Sequence, residues 1–205
     1  MPDTRRSPLF HRPPVQGEAG ALRMEERPFV GKFILRADPQ SAVEPLRDAL
    51  GLGLPFDPLT SAASGETSLL WMGPDEWMLV TAPGDAAGRS AAARAALAGI
   101  HHQLVDVTDY YTIIEVAGAK AREALMKLTS LDLHPRAFKA GTVTGSVFGR
   151  ANAMIWLPHA AGDELFRLFI RWSMADYLWC LLANAGREWD VPEQVPVKGE
   201  RLTIA

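Results

Sequence analysis

Apolar positions along this chain change their spacing repeatedly, and each change marks an element. Phe33-Ile34-Leu35 is a short unbroken apolar run that predicts a strand, and Val43, Leu46 and Leu50 then fall at helical spacing. Ser41 and Glu44 have capping-box spacing, and Pro45 lies in the first turns, where a helix tolerates it better than in its middle. Ser68 to Met72 and Trp77 to Thr81 predict two strands joined by the turn Gly73-Pro74-Asp75-Glu76. Asp85 then caps an Ala-rich helix that runs to about Ala98.

From His102 a similar order returns. His102 to Val107 and Thr112 to Val116 predict strands joined through Thr108-Asp109-Tyr110, and Gly118 opens a helix with Ala121, Leu125 and Leu128 as its buried stripe. After the loop at His134-Pro135 come strand candidates near Thr142 to Phe148, Ala153 to Leu157 and Leu165 to Arg171, and Ser173 with Asp176 caps a last helix to about Ala185. Glu76-Trp77-Met78-Leu79-Val80 before the Ala-rich helix resembles Glu164-Leu165-Phe166-Arg167-Leu168 before the last one. The shared order predicts an α+β fold of two diverged split-βαβ (ferredoxin-like) halves with antiparallel sheets, over about residues 28–100 and 101–190 of a domain spanning 28–190. Residues 1–27, with Pro2, Pro8, Pro13 and Pro14, read as an extended N-terminal arm, and 191–205, opening on alternating Val and Pro, as an extended tail.

The last helix is apolar almost all round. Ala175, Leu178, Leu182 and Ala185 make one stripe, Met174, Tyr177 and Leu181 another, and Trp172 and Trp179 widen both. Such a helix needs cover on two sides, so one side can rest on the sheet while the other needs the rest of the fold or a second subunit. Leu9-Phe10 in the arm raises the same question. Leu9, Phe10, Trp172, Tyr177 and Trp179 are therefore the candidate partner-contact residues.

Charge and composition narrow the function classes. With 21 Lys+Arg against 24 Asp+Glu, a net charge of −3, the chain lacks the cationic surplus that phosphate binding needs, so neither a nucleic acid nor a membrane is expected as a partner. Arg5, Arg6 and Arg12 are not followed by an apolar stretch, and Cys180 is the single cysteine, so a cytoplasmic location is expected. Gly51-Leu52-Gly53 follows a helix and reads as its C-cap, not as a nucleotide loop. His11, His101, His102, His134 and His159 show no ligand spacing, and Cys180 sits in an apolar helix where a thiol stays protonated. Asp106 and Asp109 flank a strand-to-turn junction where a general base could sit; the competing reading makes Asp109 an Asx-type turn cap and gives Asp106 nearby N–H groups. No catalytic, cofactor-binding or metal-ligating residue is assigned.

Four strings carry a family resemblance: Trp71-Met72-Gly73-Pro74-Asp75-Glu76-Trp77-Met78-Leu79, Leu104-Val105-Asp106-Val107-Thr108-Asp109, Leu131-Asp132-Leu133-His134-Pro135-Arg136-Ala137-Phe138, and Arg171-Trp172-Ser173-Met174-Ala175-Asp176-Tyr177-Leu178-Trp179. The chain resembles the gamma subunit of heterotetrameric sarcosine oxidase. Residues Asp106 to Leu125 are also similar to the folate-binding aminomethyltransferase fold of the glycine cleavage T-protein. That family has Ser-His where this chain has Thr108-Asp109, and an aspartate pair in the region matching Gly149-Arg150-Ala151-Asn152-Ala153-Met154, which holds no acid.

The resemblance implies a noncatalytic subunit of an oxidoreductase that demethylates sarcosine to glycine, giving hydrogen peroxide and either formaldehyde or 5,10-methylenetetrahydrofolate. It implies alpha, beta and delta subunits as partners, with FAD, FMN, NAD and tetrahydrofolate held by those partners and none by this chain. The matching subunit of N-methylglutamate dehydrogenase, and a free-standing folate-dependent C1-transfer or folate-binding protein, are the alternatives.

Overall fold

The structure, a computed structural model, describes residues 5–158 and 164–197. The chain opens with β1 (Val15–Gln16) and β2 (Arg23–Arg27), then runs β3 (Gly31–Ala37), α1 (Pro39–Leu50), β4 (Ser61–Ser64), β5 (Thr67–Gly73), β6 (Glu76–Thr81), α2 (Ala86–Ala96) and β7 (His102–Asp106). It continues with β8 (Tyr111–Ala117), α3 (Ala121–Met126), β9 (Val143–Phe148), β10 (Ala151–Trp156), β11 (Leu165–Arg171) and α4 (Ala175–Ala185). Two wholly antiparallel sheets result, in the orders β4-β5-β6-β3-β7 and β1-β2-β8-β11-β10-β9.

The two orders correspond position by position. Within β7-β3-β6-β5 and β2-β8-β11-β10 each helix-linked strand pair has another strand between its members, which is the split-βαβ arrangement. The sequence reading placed β7 with the second half, but β7 pairs with β3, so the first sheet is continuous in the chain. The second sheet's equivalent strand is β2, which comes from the segment read as an irregular arm and pairs with β8. Its residues, Arg-Met-Glu-Glu-Arg, show no apolar alternation, because only Met24 of the five turns into the core.

Apolar side chains fill three layers. Leu35, Leu46, Leu69, Trp77 and Leu97 pack between the first sheet and α1 with α2. Leu125, Phe148, Phe166, Leu178 and Trp179 do the same between the second sheet and α3 with α4. Val30, Leu70, Met78, Ile113, Trp156 and Phe169 join the inner faces of the two sheets, so the molecule is a helix–sheet–sheet–helix stack.

Local chemistry explains where the elements start and stop. The helix α1 begins earlier than the Ser41/Glu44 spacing predicts, because Asp38 is its N-cap and accepts the Ser41 N–H at 2.9 Å. Gly51 ends α1 in the left-handed region at φ 73°, as the C-cap reading expects. Gly118 at φ 110° is required twice over, since a Cβ there would lie 2.5 Å from the carbonyl oxygens of Gly20 and Ala21.

Candidate functional site

Polar groups come together at the junction where the chain crosses between sheets and at the surface of α4, among other places. At the junction, the Val107 N–H donates to Lys32 O at 2.8 Å and the Lys32 N–H to the Thr108 hydroxyl at 3.1 Å. Asp106 accepts the Thr108 N–H at 2.8 Å, so the Asx cap is Asp106, while Asp109 forms an exposed ion pair with Arg5. Both carboxylates are thus engaged, Asp106 in turn geometry and Asp109 in surface pairing.

Lys32 is the residue that sequence reasoning passed over. Its side chain is fully buried and donates to Val30 O at 2.5 Å. Burial pulls its pKa down to about 8, against the opposing pull of Asp109 and Asp106. The available signal was a lysine set inside the apolar run Val30 to Leu35.

Between the sheets lies a cleft of about 210 Å³ lined by Val30, Val80, Ile113, Trp156, Glu115 and Arg167. Arg167 pairs with Glu115 at 2.9 Å and lies over the Trp156 ring, so the cleft's charges satisfy each other. Its volume falls below the roughly 300 Å³ at which pockets for drug-sized ligands begin. The stretch Gly149 to Met154 forms the β9–β10 turn and the start of β10, where Asn152 is exposed and no acid points inward.

At α4 the arm and the tail meet on Asp176. His11 Nε2 lies 3.0 Å from its carboxylate, Arg12 Nε donates at 2.8 Å and the Val197 N–H at 3.0 Å. Arg12 also donates to Val195 O at 2.7 Å and to Gln194 at 3.1 Å, tying the arm to the tail. Burial would raise the Asp176 carboxyl, but the bonds from Val197, Arg12 and His11 outweigh it and hold the group below its ordinary 3.8. Beside it, burial pushes the Cys180 thiol up despite Arg12, which keeps it protonated as expected.

This corrects part of the partner-contact expectation. Leu9 and Trp179 are buried in the chain's own core, because the arm folds back over α4 and supplies the cover that an all-round apolar helix needs. Tyr177 is half-buried, and its hydroxyl accepts the Arg150 N–H at 3.1 Å. Trp172 is half-buried and Phe10 remains 49% exposed.

His102 Nδ1 contacts Ile100 O, His134 Nδ1 accepts the Arg136 N–H, His101 and His102 line one groove with Asp38 and Asp75, and His159 lies outside the described residues. Among the described residues no group of three His, Cys, Asp or Glu side chains could hold a metal ion, and no helix is long and apolar enough to cross a membrane.

The remaining motif strings are structural in the same way. In Leu131 to Phe138, Asp132 accepts the His134 N–H at 2.9 Å, and Arg122 donates to the carbonyls of Leu133 and Phe138 from below. In the β5–β6 hairpin, Trp77 is buried and donates to Pro55 O at 2.8 Å, while Asp75 pairs with Arg36 at 2.7 Å.

A family model described as "Sarcosine oxidase, gamma subunit family" matches residues 35–188. The chain belongs to this family. The gamma subunit of sarcosine oxidase from Arthrobacter sp. is 34% identical over 194 residues, covering 92% of this chain and 93% of that protein. A chain of the heterotetrameric sarcosine oxidase from Corynebacterium sp. U-96, solved in complex with pyrrole 2-carboxylate, superposes with a TM-score of 0.80 at 26% identity, over 93% of this chain and 99% of that one. The glycine cleavage aminomethyltransferase T from Bartonella henselae shares the fold, at a TM-score of 0.60 and 15% identity, over 80% of this chain and 46% of that one. This chain therefore has the fold of that aminomethyltransferase.

Proposed function

We propose that this chain is the gamma subunit of a heterotetrameric sarcosine oxidase and serves the complex as a structural member without a reaction centre of its own. The observation that carries the reading is the near end-to-end structural likeness to a chain of such a heterotetramer, 93% of one and 99% of the other. The geometry supports the noncatalytic part. Asp106 and Asp109 are occupied by a turn N–H and by Arg5, the thiol of Cys180 is held protonated, and the Lys32 ammonium is sealed inside.

On this reading the alpha, beta and delta subunits hold FAD, FMN, NAD and tetrahydrofolate. The assembled enzyme oxidises the N-methyl group of sarcosine, leaving glycine, with the carbon released as formaldehyde or captured as 5,10-methylenetetrahydrofolate and the electrons passed to oxygen as hydrogen peroxide. The chain's place is cytoplasmic, with its enzyme.

Co-expression with the three other subunits, followed by gel filtration and native mass spectrometry, tests the assembly: one copy of this chain in the complex is expected, and a chain that elutes alone sinks the reading. Titrating the isolated chain with tetrahydrofolate tests the second part. Saturable binding with turnover would make it a C1-transfer enzyme instead.

A further inference from the structure

Four strands end the two sheets, and three of them are closed to further pairing. Strand β1 has two residues and β4 has four, each too short to template another strand. Strand β7 carries His102 and Asp106, and Arg94 donates to Leu104 O at 2.6 Å. Strand β9 differs: its six residues, Val-Thr-Gly-Ser-Val-Phe, hold no charge and no proline, and its register with β10 is unbroken. Natural edges of this kind are usually blunted.

The phase of the β9–β10 hairpin shows which groups face outward. The turn Gly149-Arg150 closes on the pair Phe148 and Ala151, so Phe148, Ser146 and Thr144 bond to β10 while Val147, Gly145 and Val143 face away. Val143 confirms the phase, because its N–H is taken by Leu59 O at 2.9 Å. Among the described residues nothing outside the sheet meets the N–H of Gly145 or Val147, and the Gly145 carbonyl has only a 3.4 Å approach from Thr144. Val147 is 50% exposed.

Beside this edge lies a groove of about 410 Å³ lined from both sheets by Met72, Met78, Tyr111, Met154, Phe169 and Arg171, together with Gly145 and Val147 of β9. Methionines suit a surface that must fit a partner's side chains. Arg171 is exposed and lies 5.2 Å over the Tyr110 ring, with no ion pair among the described residues.

We propose that β9 and this groove dock one extended strand of a partner subunit, which pairs with Gly145 and Val147, inserts apolar side chains among the methionines and offers a carboxylate to Arg171. The inference rests on the proposed place in the heterotetramer and adds the surface used. Charge decides between a partner and a second copy of this chain. Two copies pairing β9 against β9 would bring no carboxylate, since residues 143–148 contain none.

The test uses the co-expressed complex and hydrogen exchange of the segment 143–148. Within it the outward Gly145 and Val147 amides should exchange freely in the isolated chain and slow on the order of a hundredfold in the complex, while the amides bonded to β10 are protected in both. Val147→Lys should lower the share of this chain recovered with its partners by about tenfold, and Arg171→Glu by less. Met126→Lys, at an exposed methionine on α3, should leave recovery unchanged, and all three variants should unfold at the wild-type temperature. A complex that forms while 143–148 exchanges as in the free chain overturns the docking edge and leaves the subunit role standing. Wild-type chain that never assembles overturns both. Protection that appears in the isolated chain together with a dimer mass replaces the partner strand with a second copy.

Discussion

Helices α2 and α4 hold the same place in the two halves, each following the third strand of its split-βαβ unit, yet they are built differently. α2, Ala-Ala-Gly-Arg-Ser-Ala-Ala-Ala-Arg-Ala-Ala, buries only Ala93 completely and leaves its outer face to water. α4 buries Ala175, Leu178, Trp179, Cys180, Leu182, Ala183 and Ala185, because the arm and tail form a further layer over it. One half is therefore closed by a thin, propensity-driven helix and the other by a helix whose stability comes from packing. The strings of the gamma-subunit family that lie on α4 and the Leu131 to Phe138 loop belong to the packed half.

The comparison breaks most directly at Trp179. Trp179→Ala should cost about 3–5 kcal/mol by urea denaturation, against about 1 kcal/mol for Ala93→Gly at the buried point of α2. Equal losses would mean that the second layer adds nothing.

Asp176→Asn sharpens it by loosening that layer. Losing charge-assisted bonds from Arg12 should cost about 2 kcal/mol and expose the bond region around Arg12 to limited proteolysis, while the first half stays resistant. The pH dependence has a definite sign. The folded carboxyl lies below 3.8, so its contribution is complete above 3.8 and is lost as pH falls through the folded value. Acid titration of wild type and variant should therefore converge at low pH.

Lys32 probes the seam between the halves. Its folded pKa of about 8 lies below the ordinary 10.5, so between these values the unfolded chain binds the extra proton and wild-type stability rises with pH. Lys32→Met removes that rise. Its stability relative to wild type should fall by about 2 kcal/mol between pH 7 and pH 10, and a constant difference would show that Lys32 is not buried as a cation. The smallest effect is at the outer edge: Val147→Lys should change the stability of the isolated chain by less than about 0.5 kcal/mol, because Val147 supports neither half.

Much of the fold could be read from local pattern. The strands containing Phe33, Leu69, Met78, Ile114, Ile155 and Phe169 and all four helices follow from apolar spacing and turn residues, since these elements draw on side chains near in sequence. Strand β2 could not, because Arg23-Met24-Glu25-Glu26-Arg27 becomes a strand only when β8 supplies its hydrogen bonds. The start of α1 was misplaced because Asp38 and Ser41 both have capping chemistry, and only the backbone path selects Asp38. Of the candidate contacts, Phe10 is exposed while Leu9 and Trp179 are interior. Their composition is the same on either account, and only folding decides which side of the arm faces α4.

By itself the sequence determined the element order, the antiparallel α+β class, the family and the lack of a nucleotide loop or ligand spacing. These depend on periodicity and on short strings, which act over a few residues. Tertiary structure decided that β2 and β7 complete sheets remote from their neighbours in the chain, and that His11, Arg12 and Val197 converge on Asp176. It also decided that β9, uncharged and six residues long, lies at the edge of its sheet. The physical reason is the same in each case: a backbone or charged group is satisfied by whatever the fold brings within about 3 Å, and sequence distance does not limit that reach.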